Sequence, residues 1–479
     1  MNIKTVFRFG IGPVGSALLG FATLPVVTWL FSVGDVGRFA LLQVALNFSM
    51  LVFTLGMDQA YVREFHEWKN KGELLRTTFL PAFMLFLALV IGAAFVPGVI
   101  ANFLFESDKR LLGYIALLAV STGLIFRFSL MVLRMEEKGL AFSAGQILPK
   151  LLFLILVLVY WLANISVGIS YLAGAFATSF VVTISVLILL IRHHVSEMLK
   201  SSIDWTKFKA ILSYSLPLVL GTAAFWGLTA VDKLFLRALS TFEQLGVYSV
   251  AVSFAAAATI LQGVFSTLWA PMVYKWLNSD QGIELGRIHS VVKQVAITIS
   301  LIFALAGSFS WLLDFVLPDQ YANVKFLVLC CLSFPLFYTL SETTVVGIGI
   351  SRRSSFSMYA SLLAFALNCV LNYFFIPKYG AVAAAISSAI AFWVFLLMRT
   401  EFSIYVWKPM PRSTIYSLSC LQLACVIGSV IYGPDNPAVV HGLWVMLLVG
   451  LIYKFRAEIT QFARYLSAEM SRKTANSEL

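Results

Sequence analysis

Apolar runs of about twenty residues alternate with short polar breaks along almost all of the 479-residue chain. An apolar helix of about 20 residues crosses the ~30 Å hydrocarbon layer of a bilayer. The pattern therefore predicts transmembrane helices, at 9–32, 38–60, 77–104, 112–133, 142–163, 167–191, 210–237, 245–273, 290–316, 325–350, 355–376, 380–400, 414–432 and 438–455. The fold class that follows is an all-α polytopic membrane protein with about fourteen spans. Each break is short, so no external loop has room for a catalytic domain.

The pattern is written twice. Ser213 to Pro217 opens an apolar run much as Gly10 to Pro13 does, and the turn Glu243–Tyr248 stands where Asp35–Phe39 stood. Phe142 to Gly168 finds its counterpart in Phe356 to Gly380. The four pairings fall at offsets of 204 to 214 residues, as an internal duplication of a membrane protein predicts. The expected domains are a six-helix lobe at 1–192, a linker at 193–209, a second six-helix lobe at 210–402, and two additional helices with a tail at 403–479. Six is even, so both lobes face the same way, related by an axis along the membrane normal.

Composition sharpens this reading. The chain is 60% hydrophobic and 12% charged, about half the charged share of a soluble globular protein. The first run is too long for a signal-peptide core of ~7–15 residues and ends in no clear small-x-small site. Cys330, Cys331, Cys369, Cys420 and Cys425 lie in apolar runs without metal spacing, so they are expected to be packing residues. The net charge of +11 could suggest nucleic acid, but its distribution does not. One alternate set of connections, with both termini, carries 25 of the 34 Lys and Arg residues and the other carries six. Cytoplasmic connections are the ones enriched in these residues, so both termini are expected inside, with the basic loops against anionic lipid. Trp29, Trp161, Trp205, Trp276, Trp407 and Trp444 lie near span ends and are expected to anchor at the interface.

Charges inside spans are costly unless they meet water, a cavity or a partner. Arg127, Lys150 and Glu342 lie well within their spans and are candidates to line a polar cavity or to form interhelical ion pairs. Arg134 and Arg237 can also snorkel to headgroups. Asp58 can cap a helix or pair with Arg63, and Asp232 and Lys233 point about 100° apart on one helix. The substrate-binding candidates are Arg127, Lys150, Arg134, Lys233 and Arg237. Asp58, Asp232 and Glu342 are the acids placed to exchange a proton or bind a cation. No catalytic triad, P-loop or Gly-rich nucleotide loop is present. His66, His193, His194, His289 and His441 show no metal spacing. No enzyme, metal or cofactor is expected, apart from H+ or Na+ as a coupling ion.

The block from Gly12 to Glu67, with its Asp35–Phe39 turn and the segment Leu55–Glu67, resembles the start of Wzx-type flippases of the multidrug/oligosaccharidyl-lipid/polysaccharide exporter superfamily. The resemblance implies two six-helix bundles forming a V around a cationic cavity. It implies an undecaprenyl-pyrophosphate-linked glycan, such as an O-antigen unit, as substrate, moved across the bacterial inner membrane by alternating access. The implied partners are that lipid-linked glycan, membrane lipids, a polysaccharide polymerase and a chain-length regulator. The physics agrees, because buried Arg and Lys suit a pyrophosphate headgroup. Arg127 and Lys150 fall at similar depth, about 10–15 Å from the inner surface, where an anion between them would relieve their repulsion. A cation-coupled multidrug-type antiporter of the same fold predicts an acidic cavity instead. A membrane glycosyltransferase or polymerase predicts a sizeable outer loop, and a scaffold needs no mid-span charge.

Reporter fusions after Ser240 and after Lys408 should report outside and inside respectively; the same side at both positions would overturn the orientation.

Overall fold

A computed structural model of the chain describes residues 3–163, 168–277 and 285–460. All regular structure among the described residues is helical. The helices are α1 (Ile3–Leu30), α2 (Val33–Phe53), α3 (Met57–Glu64), α4 (Lys71–Ala94), α5 (Pro97–Phe105) and α6 (Arg110–Met135). They continue as α7 (Gly139–Leu162), α8 (Ile169–Leu190), α9 (Arg192–Lys200), α10 (Trp205–Leu239), α11 (Phe242–Ala255) and α12 (Thr259–Leu277). The last six are α13 (Leu285–Phe309), α14 (Val324–Cys331), α15 (Ser333–Ile350), α16 (Ser355–Val406), α17 (Arg412–Tyr432) and α18 (Pro437–Lys454).

Twelve stretches among the described residues are long and apolar enough to cross a membrane. The count differs from fourteen for local reasons. Helix α16 runs for 52 residues, but Gly380 sits at φ 51°, ψ −125° and bends it between the spans expected at 355–376 and 380–400. Helix α10, 35 residues long where a span is expected at 210–237, is not among the twelve. Expected spans are also subdivided. The run 38–60 breaks at Leu55 and Gly56, both at positive φ, and 77–104 breaks before Pro97, which begins α5. Proline fits there because the first turn of a helix has no partner for that N–H.

The chain forms two compact units. One comprises Met1–Ser253, Leu317–Gln320 and Leu371–Ala384; the other comprises Phe254–Val316, Tyr321–Val370 and Ala385–Leu479. In the first unit α1 and α7 lie side by side. A Cβ built on Gly12 would meet Ser143, one on Gly15 would meet Ile147, and one on Gly20 would come within 3.2 Å of Lys150 Nζ. Both numbers rise together, so the two helices run parallel. Small residues permit this approach in a membrane, where close van der Waals contact replaces hydrophobic driving force. The Gly12 N–H donates to Ser143 Oγ at 3.0 Å, and that hydroxyl in turn donates to the Arg8 carbonyl.

The duplicated turns meet in this same unit. A Cβ on Gly37 would lie 2.1 Å from the Phe242 carbonyl oxygen, and one on Gly246 would lie 2.1 Å from that of Val33. Residues 33 and 242 differ by 209, as do 37 and 246. The contact maps onto itself under that shift, which is the signature of a two-fold-related pair. The repeated turns are therefore matched by a reciprocal contact, with α2 and α11 meeting at equivalent glycines. In the second unit α13 packs on α17 and α18. There the ring of Trp444 fills the space above Gly307 and its Nε1 donates to Ser429 Oγ at 2.7 Å. Trp444 is 2% exposed, so it is a core residue and not an interface anchor; Trp29, Trp161 and Trp205 are exposed.

Gly37→Ala and Gly246→Ala should each destabilise the protein by about 1–3 kcal/mol, the usual cost of overpacking against atoms that cannot yield. Gly174→Ala in α8 meets nothing within 4 Å and should leave the melting temperature of the detergent-purified protein unchanged or raise it slightly.

Candidate functional site

Hydrocarbon selects for charges that find a partner or a dipole, and four polar constellations lie within the helices. The first lies in the first compact unit. Asp58 in the opening turn of α3 is 4% exposed at its side chain and accepts from Arg127 of α6, through Nε at 2.9 Å and through Nη2. Gln59 Nε2 adds a third donor at 3.2 Å. Asp58 therefore pairs with Arg127, 69 residues away, while Arg63 approaches Glu64. The Arg127 side chain is 42% exposed, so the guanidinium has one edge on a buried carboxylate and the other towards open space. Arg can do this because its fork presents donors on two sides.

The second constellation is a lone cation. Lys150 follows Pro149 in α7, and its Nζ donates to the Ser16 carbonyl of α1 at 2.9 Å. No carboxylate pairs with it among the described residues, and the side chain is exposed. A carbonyl dipole neutralises only part of an ammonium charge, so Lys150 keeps capacity for an anion.

The third is a buried acid. Asp232 of α10, 1% exposed, accepts from Tyr248 of α11 at 2.7 Å and from Asn372 of α16 at 2.6 Å. Asn368 lies one turn before Asn372 and is also fully buried. Across the duplication Tyr248 corresponds to Phe39, at the same shift of 209. Phe39 stacks on Phe153 at 5.2 Å and meets Phe176 edge-on at 5.2 Å. One copy of the repeat thus buries an aromatic cluster where the other buries a hydrogen-bonded carboxyl group.

The fourth lies in the second unit. Glu342 of α15 accepts from Arg399 Nη1 at 2.8 Å, and the same nitrogen donates to Ser341 Oγ at 2.7 Å. The Arg399 guanidinium sits over the Tyr338 and Phe395 rings, at 5.2 and 5.0 Å from their centroids. Cation–π contact of this kind offsets desolvation where water is excluded.

The remaining predicted residues are placed differently. Arg237 donates to the carbonyls of Phe103 and Asn102, at 2.8 and 3.1 Å. Arg38 donates to the next carbonyl but one, Phe105, at 2.8 Å. Together they cap the C-terminal end of α5, where the helix dipole favours cations, and both lie 4.8 Å from the Phe242 ring centroid. Arg134 is exposed near the end of α6, and Lys233 is half-buried beside Asp232. The five predicted cations are thus dispersed over several sites.

The profile of the polysaccharide biosynthesis protein family matches residues 3–276, more than half of the chain. The chain belongs to this family. No curated protein sequence matches it. Among solved structures, the lipid II flippase MurJ in an inward closed conformation superposes with a TM-score of 0.68 at 16% identity, covering 94% of this chain and 99% of its own. Two multidrug resistance MATE family transporters of the MOP superfamily also share the fold. The inward-facing one has a TM-score of 0.53 at 15% identity, covering 88% of this chain and 96% of its own. The outward-facing one has 0.52 at 16%, covering 87% and 96%. The superfamily resemblance read from the opening block is borne out by both family and fold.

In this polysaccharide biosynthesis protein, sequence reasoning missed Arg399, counted with the basic loop 399–413 although it is 8% exposed. The available signal was Glu342, a mid-span acid that requires a cation. It also missed Tyr248 and Asn372, because neither residue type is costly enough in a membrane to draw attention alone.

Arg127→Ala leaves Asp58 buried without its cation, at a cost of about 3 kcal/mol, the low end for a broken buried pair because Arg127 is half in the open. Membrane accumulation should fall, and the double variant Asp58→Asn/Arg127→Gln should restore it. Lys150→Ala should accumulate normally, since only a carbonyl is left behind.

Proposed function

We propose that this protein is a flippase, not an enzyme, that carries an undecaprenyl-pyrophosphate-linked oligosaccharide across the bacterial inner membrane by alternating access. The observation that carries the reading is Lys150: an exposed ammonium within a span, held by one carbonyl at 2.9 Å. Such a group is costly in a membrane without an anion to meet. A pyrophosphate headgroup is such an anion, and its lipid tail can remain in the bilayer while the sugar crosses. Arg127 serves as a second phosphate contact through the guanidinium edge turned away from Asp58, since Arg matches phosphate oxygens bidentately.

Coupling to H+ or Na+ is assigned to Asp232 in preference to Asp58 and Glu342. Those two acids each meet an arginine at hydrogen-bond distance, which leaves little capacity for a further cation. Asp232 is buried and accepts from Tyr248 and Asn372, and its environment differs between the two copies of the repeat. A multidrug-type antiporter of cations is disfavoured because it predicts an acidic cavity, whereas Lys150 and the exposed edge of Arg127 are cationic. Both termini are cytoplasmic in this proposal, with the basic inner loops against anionic lipid and a polysaccharide polymerase and chain-length regulator as downstream partners.

The test is complementation of a flippase-null strain, with the lipid-linked intermediate measured on each leaflet. Wild-type protein should restore export, Lys150→Ala should lose it at normal protein level, and Lys150→Arg should retain part. Asp232→Asn should abolish the dependence on an ion gradient. Undiminished, gradient-dependent export by both Lys150→Ala and Asp232→Asn would refute the assignment.

A further inference from the structure

The histidines at the start of α9 have no recognisable metal spacing along the chain, yet they converge in space with two carboxylates. His193 Nδ1 lies 3.5 Å from Glu197 Oε1, and His194 Nδ1 lies 3.8 Å from Glu197 Oε2. One ligand atom from each of the three residues can be chosen so that all lie within 4.8 Å of one another. Around a tetrahedral ion bound at ~2.1 Å, ligand atoms stand about 3.4 Å apart, so small side-chain rotations close the site. Helical geometry explains the set. Glu197 is one turn on from both histidines, at i+4 and i+3, and its two oxygens reach one imidazole each.

A second element completes the arrangement. The other nitrogen of His194, Nε2, faces Glu136 Oε1 at 3.8 Å, from the residue that ends α6. A carboxylate behind the second imidazole nitrogen is the usual outer support of a metal-bound histidine. It holds the proton on that nitrogen and leaves the first nitrogen's lone pair for the ion. His194 is 13% exposed and Glu136 28%, while His193 is 80% exposed. One side of the cluster is therefore held by protein and the other opens to solvent, as a site that exchanges its ion with the medium requires.

The backbone beneath the cluster is already fixed. A Cβ on Gly72 of α4 would meet the Glu197 backbone at 2.7 Å. Arg76 donates to the carbonyls of Leu199, at 2.8 Å, and Ser201, capping the end of α9. The ligands thus project from a helix that has been placed for other reasons, and binding need not order it.

We propose that His193, His194 and Glu197 bind a divalent transition metal ion of the zinc class, with Glu136 as the outer-shell support. Two imidazoles and one carboxylate favour zinc over magnesium or calcium, which take oxygen ligands. The bound ion ties the head of the connection at 192–209 to the inner end of α6, an attachment separate from the charged groups within the spans.

The test uses full-length protein purified in detergent through a tag without histidine. Zinc chloride is titrated in competition with a chromophoric chelator, and cobalt(II) chloride is used to read the ligand field. Wild type should bind one equivalent and give the visible absorption of a four- or five-coordinate cobalt site. His193→Ala/His194→Ala should weaken zinc binding at least 100-fold. Glu136→Gln should weaken it about 10-fold, as loss of outer-shell support does, and His289→Ala should not change it. Each variant is compared at equal metal-free melting temperature, and His193→Ala alone, at the exposed position, serves if the double variant melts early. Equal zinc affinity in wild type and His193→Ala would overturn the proposal. So would a loss at His289→Ala as large as at the pair, since the ion would then lie elsewhere.

Discussion

A charged side chain in hydrocarbon must find a counter-charge, a dipole or water, and the placement of helices in this protein follows from that demand. Asp58 takes Arg127 across two helices, and Glu342 takes Arg399. Lys150, with no carboxylate partner among the described residues, takes the Ser16 carbonyl. These contacts are expensive to break because the low-dielectric surroundings leave the abandoned partner unsolvated. Each therefore fixes the rotation of its helix about the long axis more firmly than apolar packing does, since lipid and Leu are nearly interchangeable neighbours.

Small residues set the distances at which such pairs can form. Gly12, Gly15 and Gly20 bring α1 against α7 and so deliver Lys150 to the Ser16 carbonyl. Gly37 and Gly246 let two helix starts cross with backbone in contact with backbone. At Gly380 the positive φ serves the second copy, where the N–H of Ala381 reaches Gln244 Oε1 at 3.0 Å. A β-carbon at Gly37 or Gly246 would lie 2.1 Å from a backbone carbonyl oxygen and force the two helix starts apart.

The duplication is symmetrical in its frame and asymmetrical in its chemistry. Phe39 and Tyr248 occupy equivalent positions after equivalent turns, but one joins an aromatic cluster and the other donates to Asp232. Duplicated helices supply a shared framework, and divergence at a few positions makes one copy differ from the other. Burying a carboxyl group costs stability, so its presence in only one copy is better explained by use than by packing.

Hydropathy and charge by themselves determined the class of molecule. Runs of about twenty apolar residues leave a chain no soluble alternative, and the shift near 209 residues between Gly37 and Gly246 was visible as a repeated turn. The need of Arg127, Lys150 and Glu342 for partners was equally legible, because the cost of a charge in hydrocarbon depends on the residue and its depth alone. Which partner each would find was not legible. Asp58 lies near Arg63 along the chain but bonds to Arg127, and Arg399, counted with a basic loop in the sequence, lies inside α16 and bonds to Glu342. Likewise the carboxylate of Glu136 that faces His194 comes from the end of α6, a neighbour that adjacent positions along α9 do not reveal. Pair formation depends on how neighbouring helices are rotated and tilted, which many weak apolar contacts set jointly, and so only the tertiary structure could decide it.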